Sequence, residues 1–345
     1  MVTNPTSQSA SLAALIASRR TWLVTGAAGF IGSHLVEALL RAGQTVRGLD
    51  NYLTGSRANV EVVGATKPGV FEMIEGDIRD LDTCRSACVG VDVVLHQAAL
   101  GSVPRSVENP LATHAHNVNG TLNVLVAARD AGVERVVYAS SSSVYGDDPT
   151  LPKVEGTVGT PLSPYAVSKK TGELYARTFS DHYGLETIGL RYFNVFGPRQ
   201  DPAGAYAAVI PRWVAAFLEG ETPTVHGDGE TSRDFCYVAN VVQANLRAAT
   251  AAAEATGTVY NIAVGDKTSL NELYRHIGDS LAVTGHLASV PEIKYAPFRP
   301  GDIRHSLADT SRARAALGYA PTHTVAEGLR ETLAWYTSAL TPSAD

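Results

Sequence analysis

The sequence predicts an α/β protein: a doubly wound parallel sheet with a smaller C-terminal lobe interleaved with it. Three observations carry that reading. Apolar, β-branched runs of strand length alternate with helical patterns through the first half, as in strands covered on both faces. A glycine-rich turn separates the first strand from the first helix. After about Thr187 the pattern loosens into shorter strands and helices. At 345 residues, 45% hydrophobic and 18% charged, the chain suits one large globular domain or two tightly joined ones.

Residues 1–20 form a short apolar run followed by arginines, the wrong polarity for a secretory signal and too short to span a membrane. A helical extension lying on the domain is expected there. Residues 21–186 are expected to form the nucleotide-binding domain. Its elements are "TWLVTG", a helix around Ile31 to Ala42, "TVRGLD", "GVFEMIEGDI", "VDVVLHQAA", a long helix around Pro110 to Ala131 and "VERVVYASSS". Residues 187–345 are expected to be mostly a substrate-binding lobe. It holds the short strands "TPTVHG" and "TVYNIAV" and helices around Ala208 to Leu218, Val238 to Ala251 and Val325 to Leu340. No segment reaches eighteen unbroken apolar residues, so no membrane span is expected.

Charge and cysteines narrow the class. A net charge of -6 leaves no basic footprint for nucleic acid. Three cysteines, Cys84, Cys88 and Cys236, are an odd and sparse set that suits a reduced, cytoplasmic protein. Cys84 and Cys88, four apart on one helix face, read as core packing. His114 and His116, two apart, fall on different sides of a helix, so no metal site is assigned.

The first chemical motif is "VTGAAGFIG". Gly26, Gly29 and Gly32 permit a tight turn and let a pyrophosphate approach backbone N–H groups at a helix N-terminus. Phe30 and Ile31 open that helix against the cofactor. Asp50 follows Gly29 by 21 positions at the end of the second strand, where its carboxylate accepts from an adenosine ribose and repels the extra phosphate of NADP. This dinucleotide-binding, or Rossmann, fingerprint makes NAD the expected cofactor. Further strand ends add Asp77 and Ile78 in "GDI" and Gln97, Ala98 and Ala99 in "HQAA"; Asn51, Gly55 and Tyr192 complete the expected cofactor set.

The second motif is "SPYAVSKK", which puts Tyr165 and Lys169 four apart on one helix face. A phenol near pKa 10 is a poor base at neutral pH; a neighbouring ammonium and a nicotinamide cation would lower it. The tyrosinate can then take a hydroxyl proton as hydride leaves the same carbon. One element upstream, "ERVVYA" is a buried-strand pattern, so the four serines Ser140 to Ser143 stand at a strand's carboxyl end, where sites in such sheets lie.

With "TGAAGFIG", "HQAALGSVPRS", "NVNGT", "SSSSVYG", "YAVSK", "LRYFNVFGPRQ", "RDFCYV" and "RPGDIRHSLAD" taken together, the sequence resembles the extended short-chain dehydrogenase/reductases, and within them the UDP-sugar 4-epimerases, the bacterial type that favours N-acetylated sugars most of all. The resemblance runs from about Thr21 to the C-terminal helix. It implies that Tyr165, assisted by Ser141 with Ser142 and Ser143 beside the substrate, accepts the 4-hydroxyl proton while the C4 hydride passes to tightly held NAD⁺. The 4-keto sugar then swings about its bond to the pyrophosphate and is re-reduced on its other face. Lys169 would hold the nicotinamide ribose.

The resemblance also implies a UDP-sugar site at Asn194, Arg233, Arg299 and Asp302, the last two at the uridine end, with Ser102, Val209 and His226 nearby. A guanidinium suits a phosphate because it offers a forked pair of donors. For Arg191, inside an apolar strand-like run, a structural role is expected. Gly101, Ala208 and Ser306 match positions where bulkier side chains confine the pocket to unsubstituted hexoses, so small residues here leave room for a 2-acetamido group. The substrate pair expected is UDP-GlcNAc and UDP-GalNAc; plain and 6-carboxylated UDP-hexoses are the alternatives. A dehydratase or decarboxylase would need acidic residues where Ser141, Ser142 and Ser143 stand, and a non-catalytic NAD-sensing module would not need the Tyr165–Lys169 pair. A homodimer is implied through the helices near Pro110 to Ala131 and Pro164 to His182.

Overall fold

Seven parallel strands build the central sheet of the computed structural model, which describes residues 18–340 except 67, 203, 205 and 299–302. The expected extension over residues 1–20 lies outside the described residues apart from its last three. In chain order the first half runs β1 (Thr21–Thr25), α1 (Phe30–Arg41), β2 (Thr45–Asp50), α2 (Arg57–Gly64), β3 (Val70–Glu75), α3 (Leu81–Cys88), β4 (Val93–His96), α4 (Val103–Glu108), α5 (Pro110–His114), a π-helical turn (Ala115–Asn119), α6 (Gly120–Asp130), β5 (Arg135–Ser141) and α7 (Pro164–Tyr183). The second half adds β6 (Glu186–Tyr192), β7 (Val195–Phe196), α8 (Val209–Leu218), β8 (Thr224–His226), β9 (Ser232–Arg233), β10 (Cys236–Tyr237), α9 (Val238–Ala249), β11 (Thr258–Ile262), β12 (Thr268–Ser269), α10 (Leu270–Val283), β13 (Lys294–Ala296), α11 (Ser311–Leu317) and α12 (Val325–Leu340).

The sheet order is β11-β6-β5-β4-β1-β2-β3, so the winding reverses between β1 and β4 and opens a crevice at their carboxyl ends. Two strands from beyond residue 186 belong to this sheet. β11, read from sequence as a strand of the lobe, pairs with β6 from Thr258↔Ile188 to Ile262↔Tyr192. A short strand in sequence does not say which neighbour it pairs with; here burial on both faces took it into the sheet.

Alternation along β1 sends Trp22 and Val24 to one face and Leu23 to the other. The first two pack with Leu35 and Leu39 of α1 and Leu246 of α9; Leu23 packs with Val124 and Ala128 of α6 and Phe179 of α7. Cys84 and Cys88 are buried in this second layer, where burial pushes both thiols up to about 12. A third core of Trp213, Phe217, Tyr274 and Leu333 holds α8, α10 and α12 together in the lobe. Among the described residues no helix is long and apolar enough to cross a membrane.

The helix expected from Pro110 to Ala131 runs without a gap from Pro110 to Asp130, with a π turn set between α5 and α6. The extra residue in a π turn re-aims side chains. It delivers the buried Asn117, whose amide oxygen accepts from Leu100 N–H at 2.8 Å and whose nitrogen donates to Leu100 O at 3.1 Å and to Ser168 Oγ at 3.0 Å. Gly120, just after, leaves space for Ile78: a Cβ there would come within 2.4 Å of the isoleucine side chain.

Candidate active site

The glycines of the first βα turn are where the backbone needs them. Gly26 has φ +71°, and a Cβ on it would lie 2.8 Å from Ala98 N. A Cβ on Gly32 would lie 1.9 Å from Gly26 O, so only glycine lets α1 start this close to the turn. At the end of β2, Asp50 is buried and ties the turn down, accepting from Ala28 N–H at 3.0 Å and Tyr52 N–H at 2.8 Å. Burial pushes its carboxyl up against the pull of these donors. Gly55 packs beneath the turn, a Cβ there meeting Ala28 Cβ at 2.7 Å.

At the end of β4, His96 is a strut. Its Nδ1 lies 2.7 Å from Thr25 Oγ1 and its Nε2 lies 3.0 Å from Thr121 Oγ1. Because the Thr121 hydroxyl donates to Asn117 O at 2.6 Å, Nε2 carries the proton and Nδ1 accepts from Thr25. Burial, then the charge of Lys169, pushes this imidazole down to about 3, so it stays neutral. Beyond it Gln97 accepts from the Tyr192 hydroxyl at 3.2 Å, and Asn245 donates to that same oxygen at 2.8 Å.

β5 delivers the serine run. Ser140 is buried and donates to Glu173 at 2.7 Å, while Ser141 accepts from Ser143 N–H at 3.1 Å and caps a 3-10 turn over Ser142–Tyr145. The Ser143 hydroxyl is buried, with no hydrogen-bond partner among the described residues. α7 begins with Ser163 as cap, accepting from Ala166 N–H, and Pro164 in its first turn. This start places Tyr165 against Ser141. Burial raises the phenol's pKa and the Ser141 hydroxyl opposes the rise. One turn on, the Lys169 ammonium stands 6.0 Å from the Tyr165 ring centre and donates to Ala139 O at 2.8 Å. Burial lowers Lys169 to about 8. Glu173, another turn on, is forked by the buried Arg191 at 2.8 and 2.9 Å, a brace between α7 and β6.

These ends meet in one cleft of about 570 Å³. It is lined by Gly26, Gly29, Phe30, Ile31, Gly32, Asp50, Asn51, Ile78, Gln97, Ala98, Ala99, Gly101, Ser102, Ser141, Ser142, Tyr165, Lys169, Tyr192, Asn194 and Ala208, all expected from the sequence. Gly55, Asp77, Ser143, Val209, His226, Arg233 and Ser306 are not on its wall. Asp77 turns to Arg79 and Asn51, and the Arg79 hydrogen bond, ahead of the others, holds its carboxyl well below the usual range. Ser306 lines a separate hollow with Ser232 and His305; Arg233 donates to Ser232 O at 3.0 Å beside it; His226 Nδ1 donates to Pro297 O at 3.2 Å. Arg299 and Asp302 lie outside the described residues. The cleft also takes in Arg105, His116, Gln200, Asp201 and Tyr206, to which sequence reasoning gave no role. Arg105 sits inside the "SVPRS" stretch, at the start of α4, and a charged residue among otherwise uncharged neighbours was the available signal.

A glycine cradle, a buried carboxylate 21 positions on and a tyrosine–lysine pair at the switch point define an NAD-binding enzyme of the short-chain dehydrogenase/reductase type, and the cradle's lack of any Cβ fits a dinucleotide pyrophosphate. Residues 22–263 match the model of the NAD dependent epimerase/dehydratase family. The UDP-glucose 4-epimerase of Mycolicibacterium smegmatis is 40% identical over 316 residues, 91% of this chain and 97% of that one. A UDP-N-acetylglucosamine 4-epimerase from Methanobrevibacter ruminantium, solved in complex with UDP-N-acetylmuramic acid, superimposes with a TM-score of 0.86 at 39% identity, covering 93% of this chain and 99% of that one. The UDP-glucose 4-epimerase of Thermus thermophilus, in complex with NAD, gives 0.80 at 35% identity, covering 92% and 99%. The chain belongs to the NAD-dependent epimerase/dehydratase family, and it is an epimerase, an isomerase that works through NAD.

Proposed function

We propose that the protein inverts C4 of a UDP-hexose, and that UDP-GlcNAc and UDP-GalNAc are its substrates. The observation that carries this reading is the meeting of Tyr165, Lys169 and Ser141 in the same cleft as the glycine cradle, with serines and no carboxylate at the end of β5. Gly26, Gly29, Gly32 and Asp50 would hold NAD, which supplies the hydride acceptor and donor. Tyr165 takes the proton of the 4-hydroxyl through its phenolate, with Ser141 in hydrogen-bond contact with that oxygen. Protonated Lys169 favours the phenolate by its charge and, through Ala139 O, keeps a fixed place. Asn194 and Arg233, with Arg299 and Asp302, hold the nucleotide while the sugar turns.

Elimination is disfavoured because the acid it needs is missing. Asp50 and Asp201 are the carboxylates on the described wall of the cleft, and neither belongs to the serine run. Asp147 accepts from Thr160 N–H and Asp148 pairs with Lys153, both beyond the turn. The N-acetyl preference is supported by the open space at Gly101, where a Cβ would meet nothing within 4 Å among the described residues, and by Ala208 on the same wall. Residues 187–345, apart from β6, β11 and α9, which belong to the sheet and the layer on it, are read as the lobe that binds the nucleotide.

Proton NMR in D₂O with UDP-GlcNAc tests the reaction. The expected result is inversion at C4 with no deuterium at C5; deuterium at C5, or an unchanged spectrum, overturns it. A higher kcat/KM for UDP-glucose than for UDP-GlcNAc would overturn the N-acetyl assignment alone.

A homodimer is part of this reading. α7 presents Val167, Leu174 and Tyr175 to solvent and α5 presents Leu111, 82% exposed, beside it. Val167, Thr171, Leu174 and Thr178 follow helical spacing, so they form one uncovered stripe, which a second copy would bury.

A further inference from the structure

Arg105, Glu108 and Tyr206 meet at the mouth of the cleft and take no part in the chemistry above. Arg105 and Glu108 lie one turn apart on α4, which follows β4 and belongs to the nucleotide-binding side. Tyr206 lies just before α8, on the lobe side, next to Ala207 and Ala208 of the cleft wall. The Arg105 guanidinium stands 4.9 Å over the Tyr206 ring, and the Tyr206 hydroxyl donates to the Glu108 carboxylate. Arg105 and Tyr206 line the cleft, with Glu108 behind them. Ser102, the cap of α4, and Gly101 line the same cleft; on the epimerase reading both face the sugar, which puts the contact at the sugar end.

We propose that Arg105, Glu108 and Tyr206 form a strap joining the two halves of the protein over the sugar, and that its task is to retain the oxidised sugar until it is re-reduced. These are positioning residues, and the proposal rests on the epimerase reading. An epimerase of this kind has to let its sugar turn over inside the cleft, which forbids a tight grip on the ring; retention therefore falls to the wall. A cation over an aromatic face and one partly exposed hydrogen bond suit that task, being individually weak enough to reopen for exchange of substrate and product. In the oxidative half-reaction the C4 hydride goes to NAD⁺ and the 4-hydroxyl proton goes to Tyr165. A UDP-4-ketohexose that escapes at this point leaves one NADH behind in the protein, so escape can be counted.

The test uses the purified protein with its NAD, given UDP-GlcNAc and, separately, UDP-glucose. The ketone in the filtrate is trapped with borodeuteride and weighed by mass spectrometry, and the 340 nm absorbance of the protein fraction is read; each is divided by the epimerised product. Tyr206→Ala is expected to raise this escape ratio about tenfold or more. Tyr206→Phe, which keeps the ring over Arg105 and loses the hydrogen bond, is expected to raise it two- to threefold. An escape ratio in folded Tyr206→Ala equal to that of the unaltered protein overturns the strap. Should Tyr206→Ala fail to fold, Glu108→Ala, at an exposed position, is expected to raise the ratio severalfold, and an unchanged ratio there overturns the strap equally. If the unaltered protein neither inverts C4 nor acquires a 340 nm band with either sugar, it is the epimerase reading that has failed.

Discussion

Lys169 shows how a single side chain trades stability for chemistry. Its ammonium is lowered by burial from 10.5 to about 8, so at pH 7 the folded protein holds a charge that water would solvate better. The unfolded chain binds this proton more readily, so the cost is full below pH 8 and fades as pH rises towards 10.5. Lys169→Met is therefore expected to raise the melting temperature at pH 7, by the equivalent of about 1–2 kcal/mol after loss of the bond to Ala139 O is allowed for, and by less at pH 9.5. The same substitution removes the positive charge beside Tyr165, and the rising limb of the pH–rate profile should move to higher pH. Melting curves and rates across pH 6–10 check both. A variant that is less stable at pH 7 than the parent would contradict the assignment of the cost to charge burial. The Tyr165–Lys169 spacing was readable in sequence. That burial raises the phenol, and that Ser141 opposes it, depends on which groups face each other across α7 and β5.

Among the elements, the first βα turn was the most legible, because glycine spacing encodes backbone geometry directly. Gly32→Ala is expected to force α1 away from Gly26 O, since no side chain can rotate out of a backbone clash at 1.9 Å. Overpacking of this kind costs about 1–3 kcal/mol, or roughly 1–4 °C in a chain of this size. Differential scanning fluorimetry, with acid release of bound NAD from the purified protein, should show a lower melting temperature and a tenfold or greater loss of NAD. Full retention of NAD would show that the turn tolerates displacement. The π turn at Ala115–Asn119 was not legible: helical periodicity over Pro110 to Ala131 continues through it. There Asn117 makes three hydrogen bonds to two distant residues, Leu100 and Ser168, which no local pattern announces. β11 escaped assignment to the sheet for the same reason: its partner β6 lies some 70 residues earlier.

The whole molecule is held across its layers by groups whose meaning only the fold supplies. Arg191 and Glu173 look like two of many charges in the sequence, yet they pair within the interior, with side chains 2% and 5% exposed. Burial alone would raise the Glu173 carboxyl; the Arg191 fork, with Ser140 and Lys170, outweighs it and holds the carboxyl down. The outer surface carries the complementary case. If the stripe on α7 and α5 is a dimer face, Leu111→Arg combined with Leu174→Arg should convert the protein from dimer to monomer in sedimentation equilibrium at micromolar concentration, with its circular dichroism spectrum unchanged. A parent protein that sediments as a monomer at that concentration would remove the dimer from the proposal.

The sequence by itself determined the sheet-and-helix class, the glycine cradle with Asp50, the tyrosine–lysine pair and the serine run, because each is a short-range pattern whose chemistry follows from spacing along one strand, turn or helix. Only the tertiary structure decided that β11 joins the sheet, that Asn117 is swung inward by a π turn, that Asp77 is taken up by Arg79 and Asn51, and that Arg105 meets Tyr206 across the cleft. Those outcomes depend on pairings between residues far apart in the chain, and the free energy that selects them comes from burial and hydrogen-bond satisfaction that exist only once the layers have packed.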